Sequence, residues 1–367
     1  MSDSKYSSIH YHSYLKLEEL LGAQTLRSEA VGKPAHDEML FIVTHQVYEL
    51  WFKEVIHDLS AIVKMFEDEV LDEREVGTAV HLLNRVIKIQ GLLIDQIEVM
   101  ETMTALDFLD FRNYLFPASG FQSFQFRIIE GMLGLESKNR LTYNGKPYDI
   151  VFSKIQREYL QDLEKNRSML EHVEAWLERT PFLETGDFNF LSLYRDAVNA
   201  MLEREKAAIR NSEHIDDEAK AMRLRMLGDT DSYFASVFDE EKHNERVARG
   251  ELRMSYKATL AALLINLYRD EPILRMPYEL LSRLVEVDSR MTTWRYRHAQ
   301  MVLRMLGKKV GTGGSSGHNY LAKTAEKHGI FTDLHNISTL LIPRSDLPEL
   351  PEQLKNQLGF YFTATYS

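Results

Sequence analysis

A chain of 367 residues, 44% hydrophobic and 27% charged, is long enough to bury a core together with a sizeable ligand pocket. It contains no cysteine, which excludes disulfides, iron–sulfur clusters, thiolate-ligated haem and Cys-type zinc sites, so any bound metal must rest on His, Asp, Glu, Tyr or Met. A net charge of −11 without a Lys/Arg run argues against nucleic acid as a partner; the polar N-terminus and the short apolar run Leu260–Leu267 argue against a signal peptide and a membrane span, so the expected location is cytoplasmic.

Apolar residues recur at three- and four-residue spacings over long windows, which predicts an all-α protein built as a single large helical domain over residues 1–367. In chain order the pattern places helices at roughly 14–27, 36–68, 73–103, 119–135, 151–177, 187–210, 255–268, 275–306 and 317–328. In the second helix, Phe41, His45, Tyr48 and Phe52 form one stripe and Leu40, Val43, Val47 and Leu50 form another, so the helix is expected to be buried on two sides with His45 between aromatic rings. Burial without a partner would keep that imidazole neutral and able to accept a hydrogen bond.

Further along, Arg112 stands in the apolar and aromatic segment Leu109–Tyr114. It needs an anionic partner, either Asp107 or Asp110 or a bound ligand. Ser119-Gly120-Phe121-Gln122 reads as a capping box opening a helix. Asn144-Gly145, between Leu141/Tyr143 and Tyr148/Ile150, predicts one small β-hairpin. Residues 211–250 are densely charged and read as a solvated helical excursion from the body.

The helix over 275–306 carries Met291, Trp294, His298, Met301 and Met305 on one stripe. A soft apolar wall with one imidazole suits a flat porphyrin with an axial nitrogen ligand, and it equally suits a core histidine bonded to a backbone carbonyl. The loop Gly311-Thr312-Gly313-Gly314-Ser315-Ser316-Gly317 leads into a helix and presents N–H groups to an anion, but it is neither a Walker loop nor a dinucleotide fingerprint.

Several longer motifs occur together in this order: Tyr11-His12-Ser13-Tyr14-Leu15, His36–Ile42 running on through His45-Gln46 to Lys53, Leu106-Asp107-Phe108 through Arg112, Pro117–Ser123, Trp294–His298 with Met301-Val302, and Gly311–Gly317 through Tyr320-Leu321. Their combination resembles the tryptophan 2,3-dioxygenase family over about residues 10–345. The resemblance implies haem b buried between helices, with His298 as its axial iron ligand and Trp294, Arg127 and Tyr320 packed on or bonded to it. It implies His45 as the distal residue accepting the indole N–H, and Phe41 against the indole. Arg112 and Thr312 would bind the ends of the amino acid, and Ser119, Gly120, Phe108 and Leu115 would line the substrate pocket. Tyr11, Tyr14 and Leu15 would close that pocket from a neighbouring subunit of a homotetramer.

The implied reaction adds O2, as co-substrate, across the C2–C3 bond of L-tryptophan to give N-formylkynurenine. This sequence has Phe108 where some members carry a Tyr that helps to bind the carboxylate, so here Arg112 and Thr312 would work without that hydroxyl. Three other readings remain open. A haem sensor would use the same axial histidine, and a haem enzyme could oxygenate indole by one atom. A di-iron oxygenase could use Glu54-Val55-Ile56-His57 and Glu240-Glu241-Lys242-His243, although the second of these lies in a plainly solvated run.

Overall fold

The computed structural model describes residues 8–68, 70–142, 147–186, 188–307 and 317–360. It opens with three short helical turns, α1 (Tyr11–Tyr14), α2 (Leu17–Leu21) and α3 (Arg27–Ala30). The continuous helix expected over 14–27 is therefore broken. Lys16 turns left-handed, with φ 54°, between α1 and α2, and the Gln24 amide leaves the helical path to donate to Gln46 Oε1 at 2.6 Å.

The long helices follow. In α4 (Glu38–Glu67), Phe52, Val55, Leu59, Ile62 and Phe66 form a buried stripe that meets Val76, Leu83, Val86 and Leu93 of α5 (Glu73–Met100). Helix α5 starts on a reciprocal capping box: the Glu75 N–H donates to Asp72 Oδ1 at 3.0 Å and the Asp72 N–H donates to Glu75 Oε2 at 2.9 Å. The second apolar stripe of α4 does not enter the core as its composition suggests. Val43 is 40% exposed and Leu50 is 50% exposed, so this face of the helix looks outward.

A helix that apolar periodicity alone does not announce, α6 (Ala105–Arg112), begins where the Thr104 N–H donates to Asp107 Oδ2 at 2.9 Å. The capping box at Ser119 opens a single 3-10 turn, Gly120–Gln122, ahead of α7 (Phe124–Leu133). The stretch expected as one helix over 151–177 is two, α8 (Lys154–Leu163) and α9 (Met169–Leu177). Ser168 makes the break by starting a new helix, its N–H and its Oγ both donating to Glu171 Oε2 at 2.7 Å.

The hairpin expected at Asn144-Gly145 lies outside the described residues. An unanticipated antiparallel pair, β1 (Glu184–Thr185) and β2 (Phe188–Asn189), instead joins Thr185 to Phe188 across two residues, the first being Gly186 with φ 59°. A Gly-Asp dipeptide is the signal for such a turn, and the helix expected from 187 begins only after it, as α10 (Phe190–Asn211). The charged 211–250 stretch is helical, as expected, and holds α11 (Asp217–Ala235) and α12 (Glu240–Ala248).

The apolar run at Leu260–Leu267 belongs to α13 (Tyr256–Leu267), which the core covers on every side. No helix of the described residues is long and apolar enough to cross a membrane. The longest helix, α14 (Pro272–Leu306, 35 residues), carries Pro272 in its first turn, where a missing N–H costs nothing. It packs mainly on α5 and on α15 (Gly317–Lys327), whereas α4 packs mainly on α5 and α7. The long helices α4 and α14 thus share α5 as their common neighbour. Two short helices, α16 (Thr332–Asn336) and α17 (Glu352–Leu358), finish the described chain.

The turn after α15 hangs from α14 by Asp288. This buried carboxylate accepts the N–H of Ile330 at 2.9 Å and of Phe331 at 3.0 Å. Asp288→Ala removes both acceptors and strands two buried donors, which should lower the unfolding free energy by roughly 3 kcal/mol in urea titrations, with Asp288→Asn losing less.

Candidate active site

One cavity of about 210 Å3 opens between α4, α6, α7, α14 and α15. Its wall brings together Phe41 and His45 from α4, Phe108 from α6, and Leu115, Ser119 and Gly120 from the connection to α7. The rest of the wall includes Arg127 from α7, Trp294 and His298 from α14, and Tyr320 from α15. Met301 and Met305 extend the α14 stripe along the same wall, while Met291 borders a smaller neighbouring cavity behind Trp294.

The other sequence-selected residues sit differently. Arg112 ends α6, one turn beyond Phe108 on the same helix face; it is half-buried and lies outside the described wall. Thr312, with the rest of 308–316, lies outside the described residues. Tyr11 and Tyr14 are 70% exposed and Leu15 is 39% exposed, and none of them lines the cavity of its own chain.

His45 is not sealed from solvent as the sequence suggests. It keeps accessible surface because it faces the cavity, although protein surrounds it closely enough that burial lowers its pKa against the opposing pull of the Phe41 carbonyl and Glu49. Its Nδ1 lies 2.7 Å from the Phe41 carbonyl oxygen. A carbonyl can only accept, so Nδ1 carries the proton and the neutral ring is left with an Nε2 lone pair. The Phe41 ring packs on this imidazole at 4.1 Å between centroids and on Phe108 at 5.8 Å, giving an aromatic wall beside a hydrogen-bond acceptor.

His298 is neutral for a simpler reason. Burial, helped by the proximity of His45, pulls its pKa down to about 4. Trp294, one helical turn earlier, covers the ring at 5.0 Å and is itself held by Phe126 at 5.0 Å. Among the described residues, no three His, Asp or Glu side chains gather as a metal-holding group. A metal at this wall would therefore have one imidazole at a time to bind it, from His298 or from His45, and a single imidazole suits an iron whose other ligands come from a macrocycle.

Beneath the cavity, Arg127 and Tyr320 belong to a cluster whose other members sequence reasoning did not find. Glu130 Oε1 accepts from Arg295 at 2.8 Å, and Glu130 Oε2 accepts from Arg127 at 2.7 Å and also from Arg140. Burial alone would raise the Glu130 pKa, but the three guanidinium groups outweigh it and hold the carboxylate well below its usual range. His328 completes the cluster. Its carbonyl accepts from Arg295 at 3.2 Å, and its Nε2 accepts from the Leu141 N–H at 3.2 Å. Tyr320 joins the cluster through a hydrogen bond from its hydroxyl to the Leu141 carbonyl at 3.4 Å. Of these partners, Arg127 and Glu130 could have been noticed as an i,i+3 charged pair on an apolar helix; Arg295 and His328 carry no local signal.

The two Glu-x-x-His segments do not converge. Glu54 lies 3.5 Å from Arg85. His243 is not in a solvated run as its charged neighbours suggest: it is buried, with Nε2 3.0 Å from the Met254 carbonyl and its ring against Tyr256. Helix α12 is charged on its outer face only, and the histidine occupies the inner one.

The neutral state of His298 links folding to acidity. The unfolded chain takes up a proton near pH 6.5, whereas the folded site resists protonation to about 4, so stability is full above that window and is lost as pH falls through it. For the protein with no ligand bound, lowering the pH from 7 to 5 should cost about 2 kcal/mol through this group. His298→Phe should show a pH-dependent loss smaller by that amount in urea unfolding.

A sequence profile described as tryptophan 2,3-dioxygenase matches residues 1–341. A tryptophan 2,3-dioxygenase of Bdellovibrio bacteriovorus is 48% identical over 358 residues, covering 98% of this chain and 100% of that protein. Its counterpart in Dictyostelium discoideum is 45% identical over 360 residues, covering 98% of this chain and 90% of its own. Tryptophan 2,3-dioxygenase B of Danio rerio is 46% identical over 344 residues, 93% of this chain and 84% of that protein. With motifs, helical fold and full-length similarity in agreement, the chain belongs to the tryptophan 2,3-dioxygenase family.

Proposed function

We propose that this chain, as one helical domain, is a cytoplasmic haem-dependent dioxygenase that inserts O2 across the C2–C3 bond of L-tryptophan to form N-formylkynurenine, the first step of tryptophan catabolism through kynurenine. The observation that carries this reading is the pair of neutral imidazoles, from α4 and α14, that face one aromatic and methionine-walled cavity. His298 would hold the haem as its protein ligand, with Trp294, Arg127 and Tyr320 beside it, and a haem held there would supply the redox chemistry that O2 requires.

The remaining work is positioning. His45 Nε2 accepts the indole N–H, its tautomer set by the Phe41 carbonyl. Phe41, Phe108 and Leu115 give the indole an apolar slot, and Ser119 and Gly120 leave room above it. Arg112 binds the substrate carboxylate, and Thr312 contacts the amino-acid end. The exposed Tyr11, Tyr14 and Leu15, together with the outward-facing Val43 and Leu50, support a homotetramer in which the N-terminal segment closes a neighbour's pocket.

The reading is tested by reducing the haem-loaded protein anaerobically and then admitting air and L-tryptophan. A Soret band and growth of N-formylkynurenine are expected, and His298→Ala should abolish haem retention. A Soret band without product would sink the dioxygenase assignment in favour of a sensor or a one-atom oxygenation. Arg112→Leu should lower kcat/KM for L-tryptophan about 100-fold, as expected for roughly 3 kcal/mol of charge-assisted recognition, while leaving any turnover of tryptamine unchanged. Wild-type protein turning over tryptamine as well as tryptophan would contradict the role given to Arg112.

A further inference from the structure

The turn Gly120–Gln122 carries part of the cavity wall, since Ser119, Gly120 and Phe121 all border the cavity. It is knit to itself before it is tied to anything else. The Ser119 N–H donates to Gln122 Oε1 at 3.1 Å, the Gln122 N–H to the Ser119 carbonyl at 2.9 Å, and the Ser123 N–H to the Gly120 carbonyl at 3.2 Å. Residues 119–123 therefore move together, and the wall follows wherever Ser123 is held. On another side the Phe121 ring meets Tyr320 of α15 edge-on, at 5.3 Å between centroids.

Ser123 is held by α4. Its hydroxyl donates to Glu49 Oε1 at 2.7 Å. Gln125, two residues on, donates from Nε2 to Glu49 Oε2 and to the Glu49 carbonyl, each at 2.8 Å. The same Ser123 oxygen accepts the N–H of Phe126 at 3.4 Å and so caps α7. One hydroxyl thus ends the turn, begins the helix and fastens both to α4. The donors to Glu49 are neutral, and both of its side-chain oxygens accept. A carboxylate meets that demand and an amide does not, because an amide turns an N–H toward one of the donors. The N-terminal end of α7 adds its own attraction for negative charge.

Glu49 follows His45 by one helical turn on the same face of α4, and it does not itself border the cavity. We infer that Glu49 is a positioning residue for the reaction: its carboxylate, acting through Ser123, fixes the Ser119–Phe121 wall relative to His45. The inference rests on the dioxygenase reading above and deepens it, because it assigns the shape of the slot to a hydrogen-bonded carboxylate outside the wall. A wall that is free to drift leaves the substrate bound but poorly placed, and the rate of the bound complex is what suffers.

The test uses the full-length, haem-loaded protein carrying Glu49→Gln, which keeps the side-chain size and removes one acceptor. Two quantities are measured. Amide hydrogen exchange over residues 117–126, followed by mass spectrometry without tryptophan, should quicken roughly fivefold while α5 is unchanged. In steady-state turnover of L-tryptophan, kcat should fall about tenfold with KM changed by less than about twofold. Ser123→Ala should give the same split, and adding Glu49→Gln to it should lower kcat by no more than about a further twofold. Ser168→Ala removes the cap of α9, away from the cavity wall, so it should lower stability and leave kcat as it is. That variant separates loss of position from loss of stability.

The inference requires both changes in Glu49→Gln, and either one alone overturns it. It is also overturned if the kcat losses of Glu49→Gln and Ser123→Ala multiply in full, or if Ser168→Ala lowers kcat to the same extent. If the wild type forms no N-formylkynurenine, the dioxygenase reading fails and the positioning role falls with it. Faster exchange in the variant would then still show that Glu49 holds the turn, so the two failures are told apart.

Discussion

The carboxylate of Glu130 is the point to which the structure around the cavity is referenced. It joins α7, which supplies Glu130 and Arg127, to α14 through Arg295 and to the chain beyond α7 through Arg140. Arg295 then reaches the His328 carbonyl, so the turn after α15 is tied to the same point, and Asp288 secures that turn from the other side. A buried ion cluster of this kind contributes little net stability compared with an apolar core of the same volume, but removal of one member leaves its partners charged and desolvated. What it provides is a fixed geometry: several segments of chain cannot shift without breaking charge-assisted bonds in a medium of low dielectric.

Against that rigid floor the two cavity histidines reach the same charge state by different routes. His45 is neutral with a defined tautomer, because a backbone carbonyl of its own helix claims Nδ1. His298 is neutral because burial disfavours an imidazolium, and its ring is oriented by packing against Trp294. The first arrangement fixes a hydrogen-bond acceptor and the second leaves a neutral ring packed on an indole. Neither needs a charged partner, which suits a site whose work is placement of an apolar ring rather than proton removal.

The parts of this arrangement that were legible in the sequence are those carried by local periodicity. Helices α4, α5 and α14 announce themselves by their apolar stripes, and the stripe from Trp294 to Met305 does line the cavity. Breaks were harder to see, because apolar spacing continues through a helix end. Ser168 and Thr104 carry capping signals that outrank the periodicity around them. The Glu130 cluster was not legible, because Arg295 is 165 positions away and only folding brings the two together. The exposure of Val43 and Leu50 has a related reason: an apolar stripe in the sequence favours burial but does not guarantee it, and apolar side chains also stand on protein surfaces. The substrate roles of Arg112 and Thr312 come from the family motifs, not from spacing.

Because α4 and α14 both rest on α5, the helix between them acts as a gauge block for the site. Leu93 of α5 packs in the core shared with α4 and α14 and, unlike Met100 at the end of the same helix, forms no part of the cavity wall. Adding or removing a methylene there changes the width of the gap before it changes any contact to a ligand. The tolerance of this cavity for a bulkier or slimmer ring is thus written partly in ordinary core packing, one layer removed from the residues that touch the ring.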